Sequence, residues 1–324
     1  MVVFGSMTVL RAGVIGVGSL GRWHVQKYAA AADVELVGVA DVDQERARAI
    51  AAQYGCRATT SIFDLLPDVD VISVVVPTEA HSVVATACLE AGVHTLVEKP
   101  ITRTLEEADA LIALAERRNL TLAVGHLERF NPAFMELCGM VDRPFFMEAE
   151  RLGGFKCRGT DVDVVLDLMI HDIDLMLAMM PSPVVSVSAC GFHVLTDLVD
   201  IANARFEFED GAVADLSASR VSRAPVRKLR VFGTNFYGSA DLQAPELRVE
   251  RRTDSGQQPG PARKYAAADA LRTEIDAFLD AVRGNDARIV DGVAGRAALA
   301  LALQVNEGIR ERLSRLSEHR SLKP

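Results

Sequence analysis

The six residues Gly16-Val17-Gly18-Ser19-Leu20-Gly21 constrain this chain more than any others, because they join an apolar run to a helical one. In that setting the first glycine permits a tight turn, the second lets a backbone approach closely, and the third lets helix and strand pack. Apolar runs at residues 10–17, 34–40, 71–76, 95–98 and 121–125 alternate with helical periodicity at 20–30, 44–54, 81–91 and 105–118. Short continuous apolar runs mark strands covered on both faces, and right-handed crossovers turn such alternation into a doubly wound parallel sheet. Gly55 and Gly92 follow the second and third helices as stop signals. The expected fold class is α/β, with an N-terminal Rossmann domain over residues 1–125.

The rhythm changes after residue 125. One long apolar helix is expected over residues 163–180, ending at Pro181-Ser182-Pro183. Alternating strands follow at 184–194, 202–209, 212–219, 228–233 and 247–251, with Glu209-Asp210-Gly211 as a hairpin turn. Residues 254–261, rich in Ser, Gly, Gln and Pro, read as a mobile loop, and helices at 267–283 and 293–313 close the chain. Residues 126–324 are therefore expected to form an α+β domain with a large open, mainly antiparallel sheet and helices on one face. Its strands suggest a sheet face available for self-association, as a homodimer or homotetramer.

Composition narrows the function. A net charge of −9, one Trp and four Tyr argue against a nucleic-acid partner. No run of uncharged apolar residues is long enough to span a bilayer, so no membrane partner is expected. The opening residues lack the pattern of a secretory leader, and the five cysteines are scattered singly, which together point to a cytoplasmic location. No His/Cys cluster suggests a metal.

The glycine turn opening a helix is a pyrophosphate cradle. Asp41, closing the second strand, stands where a carboxylate accepts from adenosine ribose hydroxyls and repels a 2′-phosphate, so NAD is the expected cofactor, with nearby Arg46 working against that preference. Ligands in open α/β sheets bind beyond the carboxyl strand ends, where Val76-Pro77-Thr78, His81 and Glu98-Lys99-Pro100 lie. The expected cofactor set is Gly16, Gly18, Ser19, Leu20, Gly21, Asp41, Pro77, Thr78, His81, Glu98 and Lys99. On the later helix, Asp163, Asp167, His171 and Asp174 recur in steps of four, four and three, forming a polar stripe on an otherwise apolar helix. Asp163 reads equally as a cap and Asp174 as an exposed carboxylate. These groups suit alcohol oxidation: His171 as base, oriented by Asp167, and Lys99 beside the developing alkoxide. How the proton is shared between Lys99 and His171 stays open.

Strand–GxGxxG–helix, an Asp after the second strand, Glu-Lys-Pro after the fourth and Asp-x-x-x-His on a later helix resemble the Gfo/Idh/MocA family of sugar and cyclitol dehydrogenases. The resemblance covers nearly the whole chain, through Asp291-Gly292-Val293-Ala294-Gly295-Arg296. It implies Lys99, Asp167 and His171 as the catalytic set and a sheet face that forms dimers or tetramers. The segments from Val124 to Pro132 and from Asp167 to Asp174 resemble the branch that oxidises the 3-hydroxyl of UDP-N-acetylglucosamine. That implies a 3-keto product for transamination toward lipid A-type or other surface glycans. Arg129, Asn131 and Arg158 become candidate substrate contacts, with Arg129 alternatively a structural link. Where many relatives carry glycines before the Asp, this chain has Asp161-Val162-Asp163. A dehydrogenase of a free sugar or inositol and a nonenzymatic NAD- or sugar-sensing regulator are the alternatives.

Overall fold

The structure, a computed structural model, describes residues 9–155, 162–253, 256–266 and 268–321. The chain divides into two compact units, one joining the residues up to His126 with Leu271–Arg296, the other joining Leu127–Ala270 with the residues from Ala297 on.

The first unit alternates β1 (Leu10–Ile15), α1 (Gly21–Ala29), β2 (Val34–Ala40), α2 (Gln44–Tyr54), β3 (Arg57–Thr59), β4 (Val71–Val74), α3 (Thr78–Glu90), β5 (His94–Glu98), α4 (Leu105–Arg118) and β6 (Leu122–Gly125). The sheet order is β3-β2-β1-β4-β5-β6, and every pairing is parallel. The order reverses between β1 and β4, which creates the crevice where α/β sheets take ligands. Local chemistry sets the helix ends. Asp43 accepts from Arg46 N to cap α2, and Gly55 at φ 68° ends it. Thr104 and Glu107 form a capping box on α4, which Asn119 ends at φ 53°. The three-residue strand β3 is too short to show a period, and α3 begins at Thr78, ahead of the expected residue 81.

The second unit contains α5 (Pro132–Met140), β7 (Pro144–Leu152), a π-helical turn (Val165–Met169), α6 (Ile170–Met179), β8 (Val184–Phe192), β9 (Ile201–Phe208), β10 (Val213–Ser219), β11 (Val226–Gly233), β12 (Phe236–Asp241), β13 (Glu246–Thr253), β14 (Gly256–Pro259) and β15 (Arg263–Lys264). The sheet runs β14-β13-β12-β11-β7-β10-β9-β8, with β15 beside β13. All pairs are antiparallel except β7 with β10. Met147, Ala149, Phe206, Leu216, Leu229 and Val231 bury one sheet face in a core shared with Phe134, Met169 and Ile173. The architecture is thus a Rossmann sheet followed by a larger, mainly antiparallel one, as the alternation implied.

Two expectations are corrected, and one strand was not foreseen. The helix over 163–180 begins as a π turn and becomes α-helical only at Ile170. Residues 256–259 are a strand paired with β13, not a loop. The central strand β7 was hidden because its inward positions include Ala149 and the buried Arg151 among its apolar residues.

The remaining helices are α7 (Ala270–Val282) and α8 (Gly292–Ser321). The boundary expected at 125/126 groups α7 with the second domain, whereas in the structure α7 packs in the first unit. Its Ile275, Phe278 and Leu279 join Val14, Val25 and Tyr28 in one core, and Arg283 pairs with Asp33 at 2.6 Å. Among the described residues, no helix is long and apolar enough to cross a membrane.

Candidate active site

The glycine turn of the first unit has the shape of a phosphate cradle. Gly16 sits at φ 84°, and a Cβ there would lie 2.4 Å from Val75 O. A Cβ on Gly21 would lie 1.8 Å from Gly16 O, so helix and turn pack as closely as the motif requires. At Gly18 an added Cβ would meet nothing within 4 Å, leaving open space over the turn. Helix α1 follows its N-cap Leu20 with no side-chain cap and no acidic residue in its first turn, so the positive end of its dipole favours an anion there. These residues fit the pyrophosphate of NAD.

Asp41 is more deeply engaged than a free ribose acceptor. Its Oδ2 accepts from Val17 N at 2.8 Å and its Oδ1 from Asp43 N at 2.9 Å. The carboxylate therefore staples the glycine turn to the end of β2. Arg46 lies beside it, with Nη1 3.2 Å from Oδ1.

Pro77 and Thr78 open α3 just beyond β4. The buried His81 ring has Nδ1 2.8 Å from Pro100 O and Nε2 2.9 Å from Val76 O, tying the ends of β4 and β5 together. Burial pushes the His81 pKa down against the pull of both carbonyls. A neutral ring donates to only one of them. Glu98 is buried at the end of β5, where its Oε2 accepts from Lys99 N at 3.2 Å. Burial pushes the Glu98 carboxyl up, but His24 and then Lys99 outweigh it, and the pKa lies below the ordinary glutamate value. Lys99 itself is half-buried and precedes a cis Pro100.

In the second unit, Asp167 lies in the π turn and His171 in the first turn of α6, both half-buried. π turns recur at functional sites because they displace a helix face. Asp163 is a cap: its Oδ1 accepts from Val165 N and Leu166 N, and its Oδ2 from Asn306 Nδ2 at 2.8 Å. Asp174 is buried rather than exposed and takes a bidentate pair from Arg129, at 2.6 and 2.7 Å. Asn131 caps α5 through Oδ1 and donates from Nδ2 to Leu242 O. Arg129 and Asn131 are thus committed to holding their own unit, and Arg158 lies outside the described residues.

Sequence reasoning missed a buried charge cluster beside this helix. Arg151 donates to both oxygens of Asp172, at 2.9 and 2.8 Å, and to Glu128 at 2.8 Å; Arg227 reaches the same Glu128 oxygen at 3.1 Å. Burial works against the Arg151 charge, but Asp172 and Glu128 outweigh it and raise its pKa. Burial also pushes the Asp172 carboxyl up, more than Arg151 pulls it down. The available signal was Asp172 and Asp174 within an apolar helix, since buried carboxylates need partners. His24 was missed too, although Gly21, His24, Val25 and Tyr28 follow the spacing of a buried helix face.

Comparison with known proteins agrees with this geometry. Residues 10–126 match the oxidoreductase family with an NAD-binding Rossmann fold, and residues 153–237 match the GFO/IDH/MocA C-terminal domain. The chain is 45% identical over 317 residues to the UDP-N-acetylglucosamine 3-dehydrogenase of Acidithiobacillus ferrooxidans, covering 95% of this chain and 100% of that one. A solved structure of that enzyme superposes with a TM-score of 0.88 at 46% identity, over 93% of this chain and 97% of the other. The inositol 2-dehydrogenase of Rhizobium meliloti is 28% identical, over 91% of this chain and 95% of that one. The chain belongs to the Gfo/Idh/MocA family of NAD-dependent oxidoreductases.

Proposed function

We propose that this enzyme oxidises the 3-hydroxyl of a UDP-N-acetylhexosamine to a ketone, with UDP-N-acetylglucosamine as the substrate. The observation that carries this reading is the 45% identity, extending over the full length of a relative named for that reaction, against 28% for the inositol relative. Residues from Gly16 to Gly21 hold the pyrophosphate, and Asp41 faces the adenosine ribose. Bound there, NAD supplies the hydride acceptor. His171 takes the hydroxyl proton, with Asp167 one turn before it favouring the imidazolium that results. Lys99 stabilises the negative charge that develops on the reacting oxygen. The protein acts in the cytoplasm as a homodimer or homotetramer.

Purified protein with NAD and UDP-N-acetylglucosamine, coupled to an aminotransferase that removes the ketone, is expected to turn over. Replacing Lys99 or His171 with Ala is expected to lower kcat at least about 100-fold, the usual scale for a positioned acid–base group. The inositol relative supports a second reading, in which a free cyclitol is the substrate. Reduction of NAD with myo-inositol, undiminished by added UDP, would decide for it.

A further inference from the structure

A chain of buried polar groups in the first unit ends on Lys99. Starting in α1, the Tyr28 hydroxyl lies 2.9 Å from Ser73 Oγ, which lies 3.1 Å from His24 Nδ1. His24 Nε2 lies 3.2 Å from Glu98 Oε1, and the other oxygen of Glu98 accepts from Lys99 N. Tyr28, Ser73 and His24 are all 0% exposed, so bulk solvent reaches none of them.

The direction of donation at the Glu98 end follows from the carboxylate. Glu98, held below the ordinary glutamate range, is ionised and can only accept, so His24 Nε2 carries a proton. Burial drives the Tyr28 pKa well up, so its hydroxyl stays protonated and shares a hydrogen bond with Ser73. Ser73 Oγ bridges the Tyr28 hydroxyl and His24 Nδ1. Tyr28, Ser73, His24 and Glu98 thus form one continuous buried chain of hydrogen bonds that ends on the carboxylate. The carboxylate is also confined sterically. Glu98 pairs in register with Gly125 on β6, and a Cβ on Gly125 would lie 2.8 Å from the Glu98 carboxyl carbon. Glu98 is faced by His24 from α1, by His81 from α3 and by Lys99 beyond β5.

We propose that His24 is a positioning residue for Lys99: its Nε2–H holds the Glu98 carboxylate in place, and Glu98 fixes the Lys99 backbone and favours its ammonium form. This rests on the reading of Lys99 as the group that stabilises the reacting oxygen. It also explains the Gly125 position, where any side chain would displace the carboxylate.

Two measurements need no substrate. Long-range 1H–15N spectra of the uniformly labelled protein, with His24 assigned through His24→Gln, are expected to show a proton on Nε2. An unprotonated Nε2 would overturn the proposal. Amine modification of Lys99, followed by peptide mass spectrometry with Lys27 as the internal control, is expected to quicken about tenfold in His24→Phe, one pKa unit's worth of free amine. An unchanged rate would also overturn it.

Where turnover is found, His24→Phe is expected to lower kcat about 100-fold, the cost of a small misplacement, with KM for NAD changed less than about three-fold. His24→Gln, which keeps a donor, is expected to recover at least about tenfold of that loss. In a Glu98→Gln background, His24→Phe is expected to add less than about two-fold, because both act through one carboxylate. Additive losses, or equal losses in Phe and Gln, would assign His24 to packing alone. No turnover by the unaltered protein would sink the substrate reading, while the spectra and lysine rates would still judge His24.

Discussion

Asp41 shows how much work one carboxylate does at the residue scale. It accepts from the Val17 amide and holds Arg46 at 3.2 Å, so it shapes the glycine turn and restrains a cation near the ribose position. Asp41→Ala is expected to lower NAD affinity about tenfold or more, the loss of a hydrogen bond to a charged group. It should also raise the kcat/KM ratio of NADP to NAD, since the carboxylate that repels a 2′-phosphate is gone and Arg46 keeps only Asp43 as its carboxylate partner; an unchanged ratio would remove Asp41 from cofactor choice. Asp200, fully buried between β8 and β9, is a second case. Burial pushes its carboxyl up, but the amides of Leu195, Val194 and Thr196 and the Thr196 hydroxyl outweigh it and bring the pKa to about 2. A carboxyl lowered in the folded state stabilises it above the unfolded value of about 3.9 and loses that contribution as pH falls toward the folded one. Asp200→Asn is expected to cost on the order of 2 kcal/mol in urea unfolding at neutral pH. The difference from the native protein should shrink as pH falls from about 4 toward 2; a gap that stays constant with pH would contradict the assignment.

At the scale of elements, the inward face of β7 carries the second unit's buried charge. Arg151 at 4% exposure between Glu128 and Asp172 ties β7 to α6 and to the 3-10 turn Leu127–Phe130. Arg151→Met leaves two carboxylates buried with reduced compensation, expected to cost about 3–5 kcal/mol by urea denaturation. A triple replacement with apolar residues at Glu128, Arg151 and Asp172 should recover most of that loss, because desolvation of the cluster disappears with it. Position, not stability, is then what the cluster contributes to α6 and His171. The same residues show why β7 escaped sequence reading: hydropathy sees an arginine facing outward, and only the partners on two other elements turn it inward.

At the scale of the whole molecule, the first unit is discontinuous in sequence. Phe278 of α7 is fully buried with Val14 and Tyr28, more than two hundred residues away along the chain. Phe278→Ala is expected to cost about 3–5 kcal/mol. A fragment ending at His126 is expected to lack a cooperative melt and NAD binding, whereas the same fragment joined to Leu271–Arg296 through a Gly/Ser linker should regain both. Equal behaviour of the two fragments would show that α7 is an accessory.

The sequence alone determined the Rossmann alternation and the glycine turn, and it put Asp41 and Lys99 beyond strand ends and Asp167 and His171 on one helical stretch, because these placements depend on short-range spacing: a turn that needs glycine, a strand end, a helical repeat. Tertiary structure decided what those residues touch. It spent Arg129 on Asp174, Asn131 on a helix cap and His81 on two carbonyls, and made a π turn where the spacing read as α-helix. It also returned α7 to the first unit and aligned Tyr28, Ser73, His24 and Glu98 into one chain. Burial, the partner of each buried charge and the docking of a distant helix are properties of packing between elements, and no local pattern encodes them.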